Sequence, residues 1–428
     1  MSRYTLLILL LLSLIFLVMG ATQRAAVADE GFSVYNAMRV MDGELPYRDF
    51  YALYAPGQFY TMAGLFRVFG LSLSVSRGFD VLLRLLLAVL VYLLARKLMS
   101  EKWALVPAVL AILTLGTCAN FGYAMFPALV FSLLSALCLL EFIAGKRPAW
   151  LLAAGLATGV AEIYRQDVGF YTLACLSFVL LLYSFVHAPE RRWRHILRWK
   201  LLYLAGVGLV VIPVVLYFIA NGSARDFWLD LFVFPATILH GVRSTPYPSF
   251  FPSPLPLSNL RGVAGGWIRF YGPPILAFWV LIQTAFAWRA NRQSKRSEVR
   301  LYGTVVLAIL SLLLFAQAWS RNDPVHLIPM TIPAFILAVQ MLAGYKVWRR
   351  PLLAKATAGF VIAILASVYV ITPLKKWAAA KSIYSLAGCP SPNGRAGCVS
   401  IEPDQAQAIR FVRNHISRGD NLHRKLAA

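Results

Sequence analysis

Residues 79–98 read FDVLLRLLLAVLVYLLARKL, and the only charged side chains among them are Asp80, Arg84, Arg96 and Lys97. At roughly 1.5 Å per residue such a stretch forms a helix about 30 Å long, the thickness of a bilayer's hydrocarbon core. Asp80 and Arg84 stand at i and i+4, the spacing at which two side chains meet on one helix face. The run closes on Arg96-Lys97, the basic flank typical of a cytoplasmic helix end.

The same pattern recurs along the chain. Apolar runs at about 4–20, 79–98, 103–119, 124–144, 149–164, 169–187, 201–220, 268–288, 301–319, 325–344 and 354–373 predict about eleven transmembrane helices. The first run follows Arg3 and is read as a membrane span rather than a signal peptide, because no small-residue cleavage site directly follows it. Composition agrees: 59% of the 428 residues are hydrophobic and only 14% are charged, and the mean hydropathy is +0.67. Soluble domains run at about 45–50% apolar and about 25% charged residues. A soluble globular enzyme and a disordered chain are both excluded. The expected fold is an all-α polytopic membrane domain over 1–373, with a short polar tail over 374–428.

The net charge of +23 suggests nucleic acid in a soluble protein. Here it fits short basic loops that meet anionic lipid headgroups, and no nucleic-acid partner is expected. Between residues 96 and 355, nineteen basic residues fall in loops on one side, including Lys146-Arg147, Arg191 to Lys200 and Arg289 to Arg300. Six fall on the other side: Arg165, Arg225, Arg243, Arg261, Arg269 and Arg321. The positive-inside rule then places the amino terminus in the cytoplasm and the carboxy terminus outside. The cytoplasmic loops are too short for a nucleotide-binding fold, so any chemistry is expected at the outer face.

Three polar segments face outward on this reading: a first loop at 21–77, a second at 221–267, and the tail. Within the first loop, Gly31 to Met41 reads as an amphipathic interfacial helix and Gly57 to Phe69 as a more apolar one. In the tail, Cys389 and Cys398 are close enough in sequence to pair in an oxidising compartment, and residues 406–416 read as a short helix. Cys138 and Cys175 lie in apolar runs and read as inert core thiols.

Asp29 and Glu30 follow the first span. Neighbours on a helix diverge by about 100°, so one carboxylate can enter a cleft while the other caps the following helix. The plain structural reading is that both are capping or solvated charges. Gly43-Glu44-Leu45-Pro46-Tyr47-Arg48-Asp49-Phe50 is dense in polar and aromatic groups. Tyr47, Arg48 and Asp49 suit a phosphate or sugar site, or an aromatic belt with a surface ion pair. Arg165-Gln166-Asp167 closes the fifth span, and Arg321-Asn322-Asp323-Pro324-Val325-His326 joins the ninth and tenth. Both are tight outer hairpins whose ionisable groups sit near membrane depth, where such groups tend to be functional.

The acidic pair after the first helix, the Gly-x-Leu-Pro-Tyr-Arg-Asp-Phe stretch and the nearby Pro56 resemble the first outer loop of the GT-C glycosyltransferase superfamily. Within it, the sequence is most similar to bacterial proteins akin to dolichyl-phosphate-mannose–protein mannosyltransferases and aminoarabinose lipid A transferases. The resemblance implies a plasma (inner) membrane enzyme that passes a hexose or pentose from a polyprenyl-phosphate-linked sugar donor to a glycan, lipid or protein acceptor, with inversion. It implies a carboxylate base, Asp29 or Glu30. It also implies a basic cluster for donor phosphate, mapped to Arg165, Arg321 and His326, with Tyr47, Arg48, Asp49, Asp167 and Asp323 shaping the substrate site. The sequence shows no metal-ligand spacing, and neither a cofactor nor a metal is expected. The rival readings are a polyprenyl-linked glycan polymerase or ligase, which would need no carboxylate after the first helix, and a secondary transporter, which would need broken helices in corresponding halves.

Overall fold

The computed structural model describes residues 3–18, 27–118, 122–187, 192–237, 248–249, 260–290, 295–344, 362–363, 365–379 and 407. The described residues are mostly helical, without a β-strand. In order, α1 (Arg3–Val18), α2 (Val27–Met41), α3 (Gly57–Phe69), α4 (Leu73–Leu98), α5 (Glu101–Leu115) and α6 (Met125–Gly145) make the amino-terminal half. Then follow α7 (Ala149–Tyr164), α8 (Gln166–His187), α9 (Arg192–Ala220), the short α10 (Ala224–Trp228), a π-helical turn at Leu229–Val233 and α11 (Phe234–Thr237). The chain continues with α12 (Leu260–Ala290), α13 (Lys295–Ser320), α14 (Pro324–Gly344), a second π-helical turn at Ser367–Ile371 and α15 (Thr372–Ala379).

Among the described residues, six helices are long and apolar enough to cross a membrane: Leu73–Leu98, Met125–Gly145, Gln166–His187, Ile196–Ala220, Glu298–Trp319 and Val325–Ala343. The chain is therefore a multi-pass integral membrane protein. The expected count of eleven is not reached among the described residues. Helices α1, α5 and α7 have 16, 15 and 16 residues, a rise of about 22–24 Å, short of a full hydrocarbon core. Residues 354–361 and 364 of the expected eleventh span, 354–373, lie outside the described residues, as do Cys389, Cys398 and all of the expected tail helix but residue 407.

Close packing and buried ion pairs hold the bundle. Helices α7 and α9 touch backbone to backbone at Gly155 and Gly206, where a β-carbon on Gly155 would overlap the Tyr203 carbonyl oxygen. Small residues at such a crossing allow the dispersion contacts that drive helix association in lipid. The Asp80–Arg84 pair forms at 2.7 Å with both side chains fully buried. Arg84 also donates to the carbonyls of Leu115 and Cys118, at 2.6 and 2.8 Å, and lies over the Phe126 ring. One guanidinium thereby ties α4 to the end of α5 and the start of α6.

At one end of the bundle, α2 and α3 pack over the helix ends. The turn between them uses Gly43 at φ +91° and Tyr47 at φ +72°. For a tyrosine this left-handed backbone is uncommon. Burial of its ring against Phe218 and Phe227 holds it there, with the Tyr47 hydroxyl donating to the Tyr54 carbonyl at 2.9 Å.

Candidate functional site

Asp29 lies in the first turn of α2 and is exposed on a cavity of about 140 Å³. Tyr51, Tyr54, Gln58 and Tyr123 line it as well. Gln58 fixes one wall by donating to the Gly122 carbonyl, and Ser33 donates to the same oxygen at 3.1 Å. The Gly122–Tyr123 turn is thus held against α2 and α3.

Glu30, the next residue, points elsewhere. It is 2% exposed, and Arg77 of α4 grips both of its oxygens, Nε to Oε1 at 2.7 Å and Nη2 to Oε2 at 2.8 Å. The sequence predicts a divergent pair with one member capping the helix. The divergence is present, but the second carboxylate serves a buried ion pair between α2 and α4. Nothing near Arg77 in sequence points to this partner, which is 47 positions away from Glu30.

Behind the Tyr123 wall, the two hairpins converge. Arg165 is only 7% exposed. It donates to the Tyr123 hydroxyl, to Gln317 Oε1 on α13 and, at 3.0 Å, to Asp167 Oδ1. Its guanidinium also lies 5.3 Å from the ring centres of both Tyr54 and Tyr123. Gln317 in turn donates to Asp167. On the far side, the Tyr123 hydroxyl meets His326 Nε2 at 3.2 Å, and His326 Nδ1 meets Asp323 Oδ1 at 2.8 Å. Arg321 pairs with Asp323 Oδ2 at 3.1 Å and remains 35% exposed on its side chain. With Nδ1 turned to Asp323, His326 presents its Nε2 to the Tyr123 hydroxyl. Hydrogen bonds thus connect Arg165 through Tyr123 and His326 to Asp323. Burial works to raise the Asp323 pKa, but the His326 hydrogen bond and charge, together with Arg321, hold it below the usual carboxylate range.

The structure therefore brings Arg165, Asp167, Arg321, Asp323 and His326 into one network, and Asp29 into the adjoining cavity. Arginine and aspartate charges in the network offset one another. Tyr47, Arg48 and Asp49 lie outside the cavity lining. Arg48 and Asp49 pair with each other at 2.9 Å on the exterior. Asp49, hydrogen-bonded by Arg48 and by the Leu45 N–H, has its pKa lowered to about 2. Sequence reasoning missed Tyr123 and Gln317. Gln317 is a polar residue in an apolar helix one turn from Arg321, which is a usable signal, whereas a lone tyrosine in a short turn gives none. Among the described residues no three His, Cys, Asp or Glu side chains converge as a metal site.

A family model described as dolichyl-phosphate-mannose-protein mannosyltransferase matches residues 54–221, which include α3, α4, the Gly122–Tyr123 turn and the Arg165 hairpin. No curated protein matches the chain in sequence. Among solved structures, ArnT from Cupriavidus metallidurans bound to undecaprenyl phosphate is similar, with a TM-score of 0.56 at 18% identity, covering 86% of this chain and 64% of that one. The Archaeoglobus fulgidus oligosaccharyltransferase tethered to an acceptor peptide is similar with a TM-score of 0.57 at 13% identity, covering 98% of this chain and 58% of that one. The same archaeal enzyme in complex with an inhibitory peptide and a dolichol-phosphate gives a TM-score of 0.51 at 14% identity, covering 96% and 59%. This chain thus spans less than two thirds of each neighbour. At such identities the likeness is one of fold, and the fold is that of the GT-C membrane glycosyltransferases.

Proposed function

We propose that this chain, a membrane protein with the GT-C fold, is an inverting glycosyltransferase that moves a sugar from a polyprenyl-phosphate carrier to an acceptor hydroxyl at the outer membrane face. The observation that carries the reading is Asp29, open to a cavity that Tyr123 also lines, with the Tyr123 hydroxyl held by Arg165 and His326. The fold neighbours support a lipid-linked donor, since one is bound to undecaprenyl phosphate and another to a dolichol-phosphate. The excess of basic residues in the opposite loops supports the outer face.

In this mechanism Asp29 takes the proton of the acceptor hydroxyl as its oxygen bonds to the anomeric carbon. The bond from that carbon to the phosphate oxygen breaks in the same displacement, and the polyprenyl phosphate leaves with the electron pair. One displacement inverts the anomeric centre. The departing phosphate lies toward Tyr123, whose hydroxyl is polarised by Arg165. Positioned charge of this kind acts strongly where water is excluded, and the partly exposed Arg321 adds a cation nearby. Glu30 is not the base in this reading, because Arg77 occupies both of its oxygens.

The test is a transfer assay with the purified full chain and polyprenyl-phosphate sugars. Asp29→Asn should lower the rate about 10²–10⁴-fold, the usual contribution of a general base, without loss of the folded protein. An unchanged rate in Asp29→Asn overturns the assignment.

A further inference from the structure

We propose that a second cavity at the same end of the bundle binds the phosphate group of a membrane lipid. The cavity lies between the end of α5, the start of α14, α12 and the second π-helical turn, and measures about 50 Å³. It is about a third of the volume of the cavity beside Asp29. Arg269, Thr114 and Tyr369 reach it from three different elements, and no carboxylate lines it.

Arg269 makes no hydrogen bond or ion pair with any other described residue. Arg269 is half-buried, and a guanidinium without a counter-charge at membrane depth is costly, which argues for an anionic counterpart. The Thr114 hydroxyl is buried without a hydrogen-bond partner. The Tyr369 ring is fixed edge-on to Phe335 at 5.0 Å. The other lining threonines already donate to backbone carbonyls: Thr117 to Thr114, Thr331 to Leu327 and Thr372 to Ser367.

The end of α5 would ordinarily present carbonyls that repel an anion. Here the carbonyls of Leu115 and Cys118 are taken by Arg84, and that of Thr114 by the Thr117 hydroxyl. A guanidinium and hydroxyls beside neutralised carbonyls form a receptor for a phosphate ester. A phospholipid headgroup and a polyprenyl phosphate share that chemistry. The site stands on its own geometry, so a chain with no transferase activity would still bind.

The test uses native mass spectrometry of the full chain in detergent. One arm is titrated with phosphatidylglycerol, one with farnesyl phosphate, and one with uncharged farnesol. Arg269→Gln should weaken binding about tenfold or more, as expected for loss of charge-assisted hydrogen bonds. Thr114→Val and Tyr369→Phe should weaken it about threefold each, which keeps the test informative if Arg269→Gln folds poorly. Weakening confined to phosphatidylglycerol identifies a phospholipid, weakening confined to farnesyl phosphate identifies the prenyl carrier, and weakening of both identifies the shared phosphate. Unchanged binding of both phosphates across the variants overturns the site, as does equal weakening of farnesol.

Discussion

Arg77 closes on Glu30 in a two-pronged grip, Nε to Oε1 at 2.7 Å and Nη2 to Oε2 at 2.8 Å, with each side chain 2% exposed. One residue earlier, Asp29 stands open on the cavity. Adjacent carboxylates of one helical turn thereby take separate tasks, one joining α2 to α4 and the other free to meet a ligand.

The pair predicts an asymmetry under mutation. Glu30→Gln leaves a buried guanidinium without its counter-charge and should destabilise the protein by about 3–5 kcal/mol. Replacing both partners with apolar residues of similar volume, as in Glu30→Leu with Arg77→Met, should cost less than Glu30→Gln alone. Thermal unfolding in detergent measures both. A double variant less stable than Glu30→Gln would contradict this account of the pair.

Tyr123→Phe keeps the ring that meets Tyr54 and Phe126 at 6.1 Å but removes the hydroxyl joining Arg165 to His326. Charged hydrogen bonds contribute about 1.5–3 kcal/mol each, so transfer should slow by about tenfold to a hundredfold while the protein remains folded. Initial rates at saturating donor are the measurement, and a wild-type rate would detach Tyr123 from the chemistry.

The contact at Gly155 is backbone on backbone, with the Tyr203 carbonyl and Gly206 across the crossing. Gly155→Val should force α7 and α9 apart and destabilise by at least the 1–3 kcal/mol typical of overpacking. Yield of monodisperse protein and its unfolding temperature report the effect. Gly145→Ala, where a β-carbon meets nothing within 4 Å, is the matched control.

Acid should loosen the hairpin that holds His326. The Asp323 carboxyl is held below its ordinary value by His326 and Arg321, against the opposing effect of burial. A group with a depressed folded pKa contributes stability that is fully present above its unfolded value of about 3.9 and is lost as pH falls through the folded one. The unfolding temperature of the native chain should therefore drop more steeply below about pH 4 than that of Asp323→Asn. Parallel curves for the two would show that Asp323 contributes nothing to the acid response.

The helices and the membrane setting were legible because both depend on local properties. Apolar length and flanking basic residues act within one segment, so the run at 149–164 coincides with α7 and Gly57 to Phe69 with α3. The i,i+4 spacing of Asp80 and Arg84 likewise sufficed to pair them. Eleven full crossings were not recoverable this way, because a run of 15 or 16 apolar residues fits a buried core helix as well as a span.

The division of labour between Asp29 and Glu30 belonged to tertiary structure alone. Their side chains diverge on any helix, but the sequence carries no record of which direction meets Arg77 and which meets the cavity. The same holds for the hairpins. Local charge marked Arg165, Asp167, Arg321, Asp323 and His326 as costly groups near membrane depth, yet their meeting depends on Tyr123 and Gln317 bridging 42 and 152 positions to Arg165. Hydrogen bonds act over about 3 Å, so contacts between residues that far apart in the chain exist only once the helices have packed.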